Sequence, residues 1–170
     1  MRDGDFDLKA LHAALDQQRQ ARGLSWAAAT RAISGSGPLP SRRPVASTTI
    51  TTLRTKVLAE ADGVLAMLRW LGRAPESFVG DSPPALAAEA FPEIALGSVP
   101  RVDTRKLYEA LNQAREVLGL TWPEVEAATR VPASHMRGLA RGGRTAFPFV
   151  TRLTRWLCVP ASQFVRQSPY

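Results

Sequence analysis

The sequence predicts an all-α chain assembled from two tandem copies of one short-helix unit. Three observations carry that prediction. The segment Leu11-x3-Leu15-x-Gln17-x-Arg19-x3-Gly23-Leu24-Ser25-Trp26 recurs as Leu107-x3-Leu111-x-Gln113-x-Arg115-x3-Gly119-Leu120-Thr121-Trp122, at a constant offset of 96. Apolar residues return at helical spacing, as in Leu8, Leu11 and Leu15, and again in Leu107, Leu111, Val117 and Leu118. Residues that start and stop helices stand at matched places in both copies, and few stretches alternate like strands.

Taken in order, Asp7 is placed to cap a first helix, Gly23 to stop it, and Ser25 to cap a second; Asp103, Gly119 and Thr121 are their counterparts. Pro123 follows Trp122, and the first turn of a helix is where proline is tolerated. Further along, Leu53, Val64, Arg69, Trp70, Leu71 and Phe78 match Leu139, Val150, Arg155, Trp156, Leu157 and Phe164 at an offset of 86, so the first copy holds a ten-residue insertion. Its place is the run Ser34-Gly35-Ser36-Gly37-Pro38-Leu39-Pro40-Ser41-Arg42-Arg43-Pro44, whose residues form loops. Between the copies, Gly80 to Arg101 carries Pro83, Pro84, Pro92 and Pro100 around an alanine-rich piece, Ala85 to Ala90, suited to one or two helical turns. The expected organisation is therefore a first domain over 1–79 with an inserted loop at 34–44, a linker over 80–101, and a second domain over 102–170, each domain holding four or five short helices.

Composition points to a soluble cytoplasmic protein with an anionic partner. No apolar run approaches the roughly 20 residues that cross a bilayer, and the acidic opening Met1-Arg2-Asp3-Gly4-Asp5 lacks the layout of a secretory signal. Cys158 is the sole cysteine, so no internal disulfide forms. The formal charge of +7 is unevenly spread: residues 1–95 hold eleven Lys/Arg against ten Asp/Glu, and residues 96–170 hold eleven against five. His12 and His135 lie far apart with one cysteine to join them, which is no zinc set, and the glycines at 35 and 37 lead into no lysine-bearing helix. With no nucleophile and base at catalytic spacing, neither an enzyme nor a bound cofactor is expected. The repeated Trp26, Trp70, Trp122 and Trp156 are expected as core anchors, and Cys158, matched by Gly72, as a packed thiol.

The run from Gly119-Leu120-Thr121-Trp122-Pro123-Glu124-Val125 through Val131-Pro132-Ala133-Ser134-His135-Met136-Arg137-Gly138-Leu139 to Arg141-Gly142, followed by Leu153-Thr154-Arg155-Trp156-Leu157 and Pro160-x3-Phe164, resembles the lambda-repressor-like (Cro/cI, XRE) helix-turn-helix family. The resemblance covers 102–165 well and 6–79 less closely. It implies two tandem helix-turn-helix domains, each with a small core, here Val125, Ala128, Val131, Met136 and Leu139, that projects its second helix into the major groove of double-stranded DNA. By position, Ala133, Ser134, His135, Arg137 and Gly138 would then face base edges; their first-copy equivalents are Ser47, Thr48, Thr49, Thr51 and Thr52. Arg137 stands out because a guanidinium pairs bidentately with guanine. Phosphate contacts would come from Thr121, Arg141, Gly143 and Arg144, and in the first copy from Ser25, Arg42, Arg43, Arg54 and Lys56. Two departures weaken the analogy: Trp26 and Trp122 stand where the family often has a phosphate-touching glutamine, and the first reader segment is rich in threonine with Thr51 at the Arg137 position.

The expected function is a nucleoid-associated transcriptional regulator whose linked domains imitate a dimer. A protein-interaction or antitoxin-type adaptor, with the near-neutral first copy serving a homodimer or protein partner, and a sequence-independent architectural DNA binder remain the alternatives.

Overall fold

The computed structural model describes residues 5–35, 45–82, 90–95 and 97–169. The inserted loop beyond Gly35, with Arg42 and Arg43, and the alanine-rich piece up to residue 89 lie outside the described residues. The first copy contains α1 (Leu8–Ala21), α2 (Trp26–Ser34), α3 (Ser47–Thr51) and α4 (Ala61–Leu71), closed by a 3₁₀ turn over Pro75–Phe78. The second contains β1 (Ser98–Val102), α5 (Thr104–Val117), α6 (Trp122–Thr129), α7 (Ala133–Gly138), α8 (Phe147–Trp156) and β2 (Val165–Pro169), with 3₁₀ turns over Leu139–Arg141 and Ala161–Phe164. The chain is thus mostly helical, and among the described residues no helix is long and apolar enough to cross a membrane.

The all-α expectation missed a small sheet. β1 pairs antiparallel with β2, setting Val99 against Ser168 and Val102 against Val165. Its residues fall in the proline-rich stretch expected as linker; Pro100 is tolerated because a two-stranded ladder consists only of edges. In the first copy the same place is marked by one bridge, Phe6 with Val79.

Helix ends follow the local code. Asp7 accepts from the backbone N–H groups of Lys9 and Ala10, Asp103 from that of Lys106, and Ser25 from that of Ala28. Gly23 and Gly119 take left-handed φ values of 63° and 66°, which lets the chain turn after each first helix without a Cβ clash. The repeated arginine locks that turn: Arg19 donates to the Leu24 carbonyl at 2.8 Å and Arg115 to that of Leu120 at 3.0 Å. Each guanidinium also lies over the following tryptophan, 4.8 Å from the Trp26 ring and 5.1 Å from that of Trp122. The shared Arg…Gly-Leu-Ser/Thr-Trp signature is therefore a local clip between the first two helices of each copy.

Several side chains depart from expectation. The four tryptophans are half-buried, packed at the rim of the core rather than inside it, and Val117 and Leu118 are exposed because they fall at the end of α5, beyond the turn that Leu111 anchors. Cys158 is exposed rather than packed; it occupies the left-handed position after α8, with φ 57°, that Gly72 fills after α4.

The two copies meet across an approximate twofold axis. Ala61 N–H donates to the Thr145 carbonyl at 2.9 Å and Phe147 N–H to the Ala59 carbonyl at 2.8 Å, on either side of the facing pair Glu60 and Ala146. At the offset of 86 Ala59 is equivalent to Thr145, Glu60 to Ala146 and Ala61 to Phe147, so each hydrogen bond is the counterpart of the other and the bridge is reciprocal. Around it Phe147, fully buried, meets the Phe6 ring edge-on at 4.9 Å, and buried residues of both copies form one continuous cluster from Phe6 to Phe164. Two ion pairs flank the axis, Arg152 with Asp5 at 2.9 Å and Arg101 with Asp62 at 2.6 Å. Glu76 reaches across to accept the Ala161 N–H at 2.7 Å.

One shared core predicts one cooperative transition. In urea, fluorescence and far-UV circular dichroism should give a single coincident curve, and Phe147→Ala should lower stability by about 3–5 kcal/mol without splitting it. Two separate transitions would mean that each copy holds itself up independently.

Candidate nucleic-acid interface

Residues 121–144 present two short helices joined by a three-residue turn. α6 opens on Thr121, whose N–H and hydroxyl both donate to one Glu124 carboxylate oxygen at 2.7 Å. Those two hydrogen bonds, the backbone one first, hold the Glu124 carboxyl below its usual range. Thr121 is thus a cap whose donors are engaged beside a fixed negative charge, which corrects its assignment as a phosphate contact. Arg130 ends α6 in the left-handed region at φ 58°, with its carbonyl accepting from Arg152 at 3.2 Å. Val131, fully buried, pins the turn, and Pro132 starts α7.

α7 buries Met136 and Ala133. Ala133 is only 8% exposed and its N–H donates to Glu126, so it offers no side-chain surface to a base edge, against expectation. His135 is also turned inward: its Nε2 lies 2.8 Å from Thr145 Oγ1 and its ring meets Phe149 edge-on at 4.9 Å. Ser134, Arg137 and Gly138 remain on the outer face, and Arg137 makes no ion pair or hydrogen bond among the described residues. Of the expected core, Val125, Val131, Met136 and Leu139 are buried, whereas Ala128 is exposed because α6 turns that side outward.

In the first copy Ser47, Thr48, Thr51 and Thr52 are exposed and Thr49 half-buried. Thr51 and Thr52 donate their hydroxyls to the Thr48 carbonyl, at 3.3 and 2.7 Å, so each retains its oxygen lone pairs but not a free donor. Ser25 caps α2 from an exposed position, and Arg54 and Lys56 follow α3 in the open. The two copies therefore offer different chemistry at the same place: one guanidinium and a serine against a cluster of threonines.

Beyond α7 the chain opens into a basic cleft of about 550 Å³, lined by Arg101, Arg105, Arg141, Arg144 and Arg166 with Asp62 and Asp103. Gly142 and Gly143 take φ values of 75° and 124° there. A Cβ on Gly142 would lie 3.3 Å from Arg105 Nε, so the glycine allows that close approach. Arg141, Arg144 and Gly143, expected at phosphates, are exposed on this cleft. Arg101, Arg105 and Arg166 were not anticipated. A signal for Arg105 existed: it matches Lys9 at the offset of 96, and both sit in the first turn of a helix, where a cation opposes the macrodipole.

Compared with protein-family models, curated proteins and solved structures, the chain matches none.

The histidines give a pH test. Burial pushes the His135 ring below its ordinary value, and burial followed by the Arg54 charge does the same to His12. When the folded value is the lower one, unfolded rings take protons first as pH falls, so stability holds above about pH 6.5 and declines below it. Urea midpoints measured between pH 7.5 and 5 should fall with acidification, and His135→Gln should flatten the decline. An unchanged slope in that variant would mean that His135 is not held neutral in the fold.

Proposed function

We propose that the chain is a sequence-specific double-stranded DNA-binding transcriptional regulator in which two helix-turn-helix units, α2–α3 and α6–α7, act as a covalent pseudo-dimer. The observation that carries this reading is the reciprocal backbone bridge around Glu60 and Ala146. A twofold axis sets every feature of one copy level with its equivalent in the other along that axis. In this reading α3 and α7 lie level with one another along that axis and enter successive major grooves about one helical turn, roughly 34 Å, apart.

Chemistry supports a division of labour within that frame. Arg137, exposed and unpaired among the described residues, is suited to guanine O6 and N7 in the second half-site. Arg141, Arg144 and Arg105 beside Gly142 and Gly143 are suited to the adjoining phosphates, where they fix register rather than sequence. The threonines of α3 offer methyl groups and lone pairs to the first half-site, a surface fit for thymine methyls. Unlike readers imply an asymmetric operator.

Selection from a randomised duplex library at about 150 mM salt, which suppresses non-specific phosphate binding, should enrich a bipartite asymmetric motif. Arg137→Ala should weaken binding to it by about 1–3 kcal/mol and relax one position in one half-site. Arg144→Ala should weaken all sequences alike and lower the salt slope by about one. Failure to enrich any motif, with binding lost to salt regardless of sequence, would favour the architectural reading. An absence of DNA binding altogether would favour the adaptor.

A further inference from the structure

The two copies carry very different charge at one pair of equivalent places. The basic cleft beyond α7 gathers five arginines from β1, α5, the 3₁₀ turn after α7, the loop that follows it and β2. At the offsets of 96 and 86 the first copy has Asp5, Lys9, Thr55, Leu58 and Gly80 in their stead, with Lys56 and Val57 in place of the two glycines. A chain folded about an approximate twofold axis therefore holds this arginine set on one side only. Backbone contacts to a duplex are wanted at both half-sites, so they do not account for a set assembled at one of them.

Most of that charge is uncommitted. Arg101 is held by Asp62 at 2.6 Å, and the other Asp62 oxygen accepts from the Val102 N–H at 3.1 Å. Asp103, the second carboxylate on the wall, caps α5 through the Lys106 N–H at 3.1 Å. Arg105 lies against Gly142, and its one hydrogen bond among the described residues goes to the Arg141 carbonyl at 3.4 Å. The guanidiniums of Arg141, Arg144 and Arg166 are exposed on the cleft and make no hydrogen bond or ion pair among the described residues. The backbone N–H groups of Gly143 and Arg144 are likewise unmatched there. Val102 and Thr104 complete the wall.

Five guanidiniums against two carboxylates leave a surplus of three positive charges around one concavity of about 550 Å³. A cleft lined by one sign of charge concentrates counter-ions, and guanidinium forks pair with phosphoryl oxygens two at a time. A single phosphate monoester carries only about −1.5 to −2, short of that surplus, whereas two linked phosphoryl groups match it. We infer that the cleft binds the pyrophosphate group of a small molecule, free or esterified, with Arg141, Arg144 and Arg166 supplying the forks. The inference rests on the cleft and not on DNA binding, and no DNA enters its test.

Isothermal titration of the full chain with inorganic pyrophosphate, adenosine 5′-diphosphate and inorganic phosphate, at matched ionic strength of about 150 mM so that diffuse attraction is screened, tests this. Pyrophosphate, free or as the nucleoside diphosphate, should bind about tenfold or more tighter than phosphate, and the two arms tell the free group from the esterified one. Arg144→Ala and Arg166→Ala remove exposed side chains with no partner to lose, and each should weaken pyrophosphate binding several-fold. Arg155→Ala removes the same charge outside the cleft and should leave the affinity unchanged. Neither pyrophosphate arm outbinding phosphate, or Arg155→Ala costing as much as the cleft variants, overturns the proposal.

Discussion

The fold depends on a short stretch of backbone: the reciprocal pair of hydrogen bonds between Ala59–Ala61 and Thr145–Phe147. Neither copy closes its core alone, because Phe147 at the start of α8 inserts against Phe6 of the other copy, and the buried cluster runs through both. A two-stranded bridge of this length is weak by itself. Its role is to fix register, while the apolar surface around it supplies the stabilisation. The same bridge sets the outer surface as well. The Thr145 carbonyl accepts from Ala61 and its hydroxyl shares a hydrogen bond with His135 of α7, so the exposed helix is tied to the axis within two hydrogen bonds. A displacement of the axis would move α7 with it, and that coupling makes the spacing of α3 and α7 a property of the core rather than of a loop.

Much of this was legible in the sequence, and the parts that were not share a physical reason. Caps, glycine stops and the two offsets located the helices, because those signals act within a turn of the residues that carry them. The Arg19 and Arg115 clip was visible as a repeated signature, though not as a clip. The axis itself was hidden: Glu60 faces Ala146, with Ala61 against Thr145 and Ala59 against Phe147, and no side-chain identity reports a contact made by backbone. β1 was masked by its proline. Around α7, positional analogy placed Ser134, Arg137, Gly138 and the following arginines on the surface where they lie, but it turned Ala133 and His135 outward. A six-residue helix carries too little periodicity to fix its own phase. Arg101, Arg105 and Arg166 join the basic cleft from β1, α5 and β2, which only tertiary structure brings together.

The ion pairs across the axis join unlike groups of the two copies. Asp5 and Arg101 are equivalents at the offset of 96, yet they carry opposite charge, and each meets an opposite charge on the fourth helix of the other copy, Arg152 or Asp62. By the offset of 86, Arg152 stands where the first copy has Ala66, and Asp62 where the second has Pro148, so two first copies docked in the same way would leave Asp5 without its arginine, and two second copies would leave Arg101 without its aspartate. At these partly exposed sites each favourable pair contributes about 0–1 kcal/mol. Their larger effect is on choice, because both like-with-like pairings lose the attraction while the unlike pairing keeps both. Divergence after duplication has thus been written into the interface itself. The chain is built to fold back on itself, and the differences between α3 and α7 are held in a fixed orientation relative to one another instead of being averaged by exchange among identical partners.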